Sequence, residues 1–480
     1  MNKIARQILL VITIILFGMA FFFKQLNFMF ICIMLMLIHN IIYSCEKFQR
    51  RVTFFVFQIT FFTFLLGKTM LSLINHKKAF PFADDVIIHI YIALFISLLF
   101  VYLGYWFVNR KFGKTDIKLK NKTENNIYSI RKISKLIFFI TYIPYISTLL
   151  EKILFVQNFT YISYYAEFDS SLPFLFVKIG EMSVISFFVF LATMPTKKEC
   201  RTPVVFYLLY GILALGMGQR NQSILSILMV FIYYITRHCM NPNNEIWFKK
   251  RDIVVLICAI PLGIVFLQVF SFTRVNQSIQ DFSFFKMFVD FFDTQGGSVN
   301  LIGQGYIYKD IFPNQNYVLG PVITFFKNNI FTKLFFGTHI YQGHTIEMAL
   351  YGNSFGQTIT YLVMPENYLA GIGLGSCYIA EAYKDWGYIG ICIINSLYGV
   401  ILAKFTQYFG KNTLVTSIIL LFVYNIIYAP RNSALSFIMA GFNFINVFTI
   451  VIIFVSAKLI NNATKKRGVL NEQKEHTCHY

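Results

Sequence analysis

Apolar runs close to the length of a bilayer's hydrocarbon core recur from one end of this chain to the other, and no other feature limits its fold as strongly. A helix rises about 1.5 Å per residue, so about 20 apolar residues cross roughly 30 Å of hydrocarbon. Twelve runs meet this test, near residues 7–23, 25–44, 52–75, 86–109, 134–150, 172–193, 203–218, 223–239, 252–271, 387–408, 413–429 and 433–457. Only 13% of the 480 residues are charged and 56% are hydrophobic, where a soluble domain carries about 25% charged residues. The expected fold class is therefore an all-α integral membrane protein with about 12 transmembrane helices. The first run follows Lys3 and Arg6 but is long and lacks a small-residue cleavage site, so it is read as a retained span.

A formal net charge of +20 has two ordinary readings, a nucleic-acid surface or the excess of Lys and Arg that cytoplasmic loops collect. With the N-terminus in the cytoplasm, the inside segments hold 28 of the 42 Lys and Arg. The basic charge thus sets orientation, both termini are expected in the cytoplasm, and no nucleic-acid partner is expected. This orientation leaves one long extracytoplasmic loop before the last three helices. The resulting organisation is a nine-helix bundle at 1–271, the outer loop at 272–372, three helices within 373–457, and a basic tail at 458–480. Gly113-Lys114-Thr115 and Gly67-Lys68-Thr69 lack the earlier glycine of a P-loop, since Val108 and Phe62 stand there. Among the cysteines only Cys377 lies near the outer face, so no disulfide within the chain is expected. No cofactor is expected.

A long connection of this kind is more often functional than structureless. In Asp281 to Asp293, Ser283, Lys286, Asp290 and Asp293 recur at helical spacing opposite Phe284, Phe285, Phe288, Phe291 and Phe292. That pattern predicts a helix that lies in the membrane surface or packs on the bundle. Pro321 to Gly337 is a second, weaker case. Thr338-His339-Ile-Tyr-Gln-Gly-His344-Thr-Ile-Glu347 follows. If it is helical, His344 and Glu347 share a face at i, i+3, an arrangement suited to a general base. The spacing matches no zinc pattern, and no metal is expected.

Further on, Gly371, Gly373 and Gly375 alternate before Glu381 and Asp385, i, i+4 carboxylates entering a span. Carboxylates at membrane depth are costly and normally face a partner or a wet cavity. Lys384 is a candidate partner. Arg220 in a short outer turn, Arg274 at the start of the long loop and Arg431 between the last two spans are all expected at the outer interface. Arginine offers a fixed fork of donors that binds phosphate, so their convergence points to a polyprenyl pyrophosphate ligand. Lys178 and Glu181 form an i, i+3 pair expected to neutralise each other within a span.

With Gly218-Gln-Arg220 in an outer turn, a long outer loop late in the chain, and the run Gly373-Leu-Gly-Ser-Cys-Tyr-Ile-Ala-Glu381-Ala-Tyr-Lys-Asp-Trp-Gly387, the sequence resembles the O-antigen or capsular repeat-unit polymerases (Wzy-type). The resemblance implies a glycosyltransferase of the bacterial cytoplasmic (inner) membrane. Its substrate would be an undecaprenyl pyrophosphate-linked glycan, and a chain-length regulator and a flippase would be its partners. The residue reading fits that chemistry, with Arg220, Arg274 and Arg431 expected on the pyrophosphate, His344 or Glu381 as catalytic base, and His339, Glu347 and Asp385 in support. An O-antigen ligase and a lipid-linked oligosaccharide flippase are the alternative readings.

Overall fold

The computed structural model describes residues 3–112, 124–159, 164, 168–240, 245–274, 283–327, 330–337 and 339–477. Among these residues the chain is helical throughout and has no strand. Among the described residues, eleven helices are long and apolar enough to cross a membrane. The expected ninth span is also a helix, Lys250–Arg274, of which Ala259–Val269 is the described apolar part.

Several spans depart from a plain helix at the end that carries the site. Phe48–Phe61 passes through a π-helical turn, Phe62–Leu66, into Gly67–Ile74. Lys197–Leu213 tightens into the 3₁₀ turn Ala214–Met217 before the next helix, Arg220–Met240. Thr413–Tyr428 ends in Ala429–Arg431, and the last span is broken at Asn443 between Ser436–Phe442 and Phe444–Thr477. The helix Tyr378–Tyr408 is kinked at Trp386 and Gly387, where Gly387 takes φ +60. Its first two turns, with Glu381 and Asp385, are therefore set off from the span proper.

Lipid tails are as apolar as leucine, so the hydrophobic effect does not hold spans together; small residues and internal hydrogen bonds do. The closest pair is Asp84–Phe112 against Tyr378–Tyr408. A Cβ on Gly104 would stand 2.3 Å from the Ser396 carbonyl oxygen. At the same seam Tyr378 donates to Asn395 (2.7 Å) and Asn395 to Ser97 (3.1 Å), all buried. Asn40 bridges Gln58 and the Leu98 carbonyl in a neighbouring layer. Lys178 and Glu181 pair at 2.8 Å, as the sequence suggests.

The connection between Arg274 and Tyr378 is not a structureless loop. Its described part folds into Phe284–Gln295, Asn300–Ile307, Gly320–Lys327, Ile330–Phe336, Ile346–Tyr351, Phe355–Val363 and Pro365–Leu369. Phe284–Gln295 buries Met287 and Phe291 and sets Phe292 against Gly67 and Phe62, so this helix packs on the bundle while Phe284 and Phe285 stay exposed. Ile330–Phe336 leaves Leu334, Phe335 and Phe336 more than 70% exposed, an apolar surface suited to lipid.

Candidate functional site

A cavity of about 260 Å³ opens where four parts of the chain meet. The turn between the helices ending at Met217 and beginning at Arg220 supplies Gly218 to Asn221. Gly218 takes φ +80, a left-handed conformation open mainly to glycine. It reverses the chain quickly enough to place Arg220 at the head of the next helix. The π-helical stretch contributes Phe64, with Thr60 below it, and the end of Thr413–Tyr428 contributes Tyr428 and Arg431. From the connection between Arg274 and Tyr378 come Gln295 and the loop Gly373 to Gly375. Leu374 donates its N–H to Thr360 Oγ1 at 3.1 Å, and Gly375 takes φ +82. These contacts hold the loop's backbone against the cavity.

Of the three arginines expected to converge, Arg220 and Arg431 line this one cavity. Arg274 is the last residue of Lys250–Arg274, and its side chain lies outside what is described. Arg431 Nη1 donates to Gln295 Oε1 at 2.9 Å. Gln295 is 6% exposed, and its Nε2 is buried without a hydrogen-bond partner. An amide oxygen is a neutral acceptor, so this bond orients the guanidinium without cancelling its charge.

His344 does not share a helix face with Glu347. Thr345 caps the helix, accepting from the Met348 N–H at 3.2 Å, so Ile346–Tyr351 begins after His344. Glu347 pairs instead with His339 Nε2 at 3.1 Å, both about two-thirds exposed. His344 lies beside the Gly373 loop that lines the cavity. Its Nε2 would lie 3.9 Å from a Cβ on Gly373, and its ring is 5.1 Å from that of Tyr368. Tyr368 in turn donates to the Thr345 carbonyl at 3.0 Å. His344 Nδ1 is buried with no hydrogen-bond partner, and burial lowers its pKa below the ordinary histidine value. A neutral imidazole is the form that can accept a proton.

The two carboxylates of the glycine-rich run sit behind the cavity. Glu381 is fully buried; Ser376 Oγ donates to one of its oxygens at 2.5 Å and the Ala434 N–H to the other at 2.7 Å. It ties the segment after Gly375 to the segment after Arg431. Asp385 Oδ2 accepts from the N–H groups of Tyr317 (2.8 Å) and Val318 (2.7 Å), fastening the connection between Arg274 and Tyr378 to the kinked helix. Lys384 is turned to the Phe312 ring, 5.6 Å from its centre. The expected partnership of Lys384 with Asp385 is one of charge alone, and hydroxyl and backbone donors supply the carboxylates' hydrogen bonds.

The arrangement presents two cationic forks and a backbone loop to one void, with a half-buried imidazole against that loop. Such a set can hold an anionic oxygen group and remove a proton from a hydroxyl beside it. Gln295, Tyr428 and Thr60 carry no local signal in the sequence, because their place depends on packing between distant segments. No curated protein and no solved structure matches the chain. A family model for O-antigen polysaccharide polymerase Wzy matches residues 6–464, nearly the whole chain, and the chain belongs to that family.

Proposed function

We propose that this chain polymerises undecaprenyl pyrophosphate-linked oligosaccharide repeat units into a surface polysaccharide at the outer face of the bacterial cytoplasmic membrane. The family implies a polymerising glycosyl transfer and a lipid-linked glycan substrate. The single observation that supports the finer reading is the cavity that gathers Arg220, Arg431 and the Gly373 loop, with His344 against Gly373. The charge distribution supports the orientation, with both termini in the cytoplasm and the cavity outside.

In this reading a sugar hydroxyl of one lipid-linked unit attacks the anomeric carbon of the growing chain. The new C–O bond forms as the bond to the carrier's pyrophosphate breaks, and the leaving oxygen takes the bonding electrons. Arg220 and Arg431 stabilise that charge, a role for which fixed donors in a partly dry site are well suited. His344 accepts the proton of the attacking hydroxyl. Glu381 has both oxygens engaged and no exposure, so it is assigned to positioning the two segments that carry Gly375 and Arg431. Asp385 has the same kind of role for the outer connection.

Deleting the gene and running the surface glycan on a gel tests the class. Single capped units are expected; carrier-linked polymer would indicate a ligase, and loss of all surface glycan a flippase. Arg220→Ala is expected to abolish polymer while protein level stays normal, and full-length glycan from that variant would overturn the assignment.

A further inference from the structure

A second cavity of about 240 Å³ lies in the outer half of the bundle, separate from the arginine site. The helix Arg220–Met240 takes part in both. It turns Asn221, Ile224 and Leu228 to the first cavity and Gln222 and Ser226 to the second. The helix Thr413–Tyr428 also runs past both, with Tyr428 at the first and Tyr424 and Asn425 at the second. Along Thr413–Tyr428 the second cavity takes Leu421, Tyr424 and Asn425 where the first takes Tyr428, so on that helix the second cavity is the deeper one.

Its lining has an unusual chemistry for this depth. Tyrosines 145, 210 and 424 stand there with Gln222, Asn425 and Asn446, and no residue of the lining is charged. Tyr145 and Tyr210 stack face to face at 3.7 Å. Gln222 Oε1 is buried with no hydrogen-bond partner. Polar groups within a membrane are costly unless they are satisfied by each other or by a ligand. Asn425 and Asn446 already donate to the Leu421 and Ala440 carbonyls, but a hydrocarbon tail would leave Gln222 Oε1 unsatisfied, and a phosphate would require a cation. Aromatic faces beside amide donors and acceptors suit an uncharged, hydroxyl-bearing ring, whose C–H face packs on a tyrosine while its hydroxyls meet the amides.

We propose that this cavity binds an uncharged sugar ring of the lipid-linked glycan, apart from the arginines that hold the carrier's pyrophosphate. The inference rests on the polymerase reading for the identity of the glycan but on its own residues for the site. The test is equilibrium binding to the full chain in nanodiscs, with two probes. One is undecaprenyl pyrophosphate bearing the repeat unit isolated from the cells that express the chain; the other is undecaprenyl pyrophosphate alone. Gln222→Leu and Asn425→Leu are each expected to weaken the glycan-bearing probe by roughly fivefold and leave the bare carrier unchanged, the effect of one lost hydrogen bond. Tyr424→Phe keeps the ring and removes only the hydroxyl, so it guards against misfolding and is expected to show the same selective loss.

Equal affinity of the wild-type chain for the two probes would overturn the proposal. So would variants that bind both probes as wild type does, or that weaken both alike. Selective weakening in a chain that makes no polymer would leave the sugar site standing and sink the polymerase reading alone. Binding of neither probe by the wild-type chain would overturn both.

Discussion

Arginines at the two ends of the bundle are treated in opposite ways. At the end assigned to the cytoplasm four of them, Arg6, Arg51, Arg131 and Arg237, are locked. Arg6 and Arg51 both reach Glu46, at 3.1 and 3.2 Å, and lie over the Tyr43 ring at 4.4 and 3.7 Å. Arg131 pairs with Glu199 at 3.1 Å and donates to the Thr193 carbonyl at 2.9 Å. Arg237 stacks on Trp247 and donates to the Pro195 carbonyl at 2.8 Å. At the other end Arg220 and Arg431 line a void, and Arg431 is oriented by the neutral Gln295. A guanidinium paired with a carboxylate has its charge compensated, whereas one held by an amide keeps its field for an incoming anion. Position at a membrane interface therefore does not separate the two sets; they differ in whether the guanidinium lines a cavity or is closed off by a carboxylate, a ring and backbone carbonyls.

The sharpest way to break that comparison is to remove the outer cations. Arg431→Ala is expected to lower polymer formed per molecule by about 10²- to 10³-fold, the usual effect of deleting one preorganised stabiliser of developing charge. Arg431→Lys restores it only in part, because an ammonium cannot reproduce the fork that meets Gln295 and a phosphate together. The measurement is glycan length and amount against protein level in isolated membranes. Normal polymer from the alanine variant would place Arg431 with the structural arginines.

Next in size is His344. His344→Gln is expected to slow polymerisation by about 10²-fold, within the usual range for loss of a general base. The pH dependence follows from its burial, which lowers the pKa from 6.5. The imidazole is neutral at pH 7 and above, so the rate is flat there and falls as acid protonates it at a pH below 6.5. The glutamine variant should lose that acid limb. An acid limb that persists unchanged in the variant would assign the proton transfer to another group.

The span pattern was legible because the signal is local. An expected run at 25–44 corresponds to Leu26–Cys45 and one at 413–429 to Thr413–Tyr428, since length and apolarity alone decide whether a segment can cross. Even the start of a span near 387 falls at the kink of Tyr378–Tyr408. Arg220 and Arg431 were legible for the converse reason, as charges in short turns between apolar runs. What the sequence concealed depends on distant segments. Gln295 meets Arg431 across 136 residues, and Glu381 takes a donor from Ala434, 53 residues on. The mistaken pairing of His344 with Glu347 had a local remedy, because a threonine before Ile346-Glu-Met is a helix cap and puts His344 outside the helix. The deeper tyrosine and amide cavity has no such local sign; it is assembled from several helices, each contributing one to three residues.

The smallest expected effect on chemistry, and the one that tests the other half of the comparison, is at Arg237. This side chain is 2% exposed, stacked on Trp247 at 4.6 Å, and bonded to the Pro195 carbonyl. Arg237→Ala removes a desolvated cation–π contact and a charge-assisted hydrogen bond, together about 4 kcal/mol. The expected result is a lower melting temperature in detergent and less protein in the membrane, with polymer formed per remaining molecule unchanged. Arg220→Ala should give the reverse balance, with polymer lost out of proportion to any fall in melting temperature. If Arg237→Ala instead stops polymerisation without lowering the melting temperature, its contacts serve function as well as folding. Closure of an arginine by its contacts would then not be enough to tell its role.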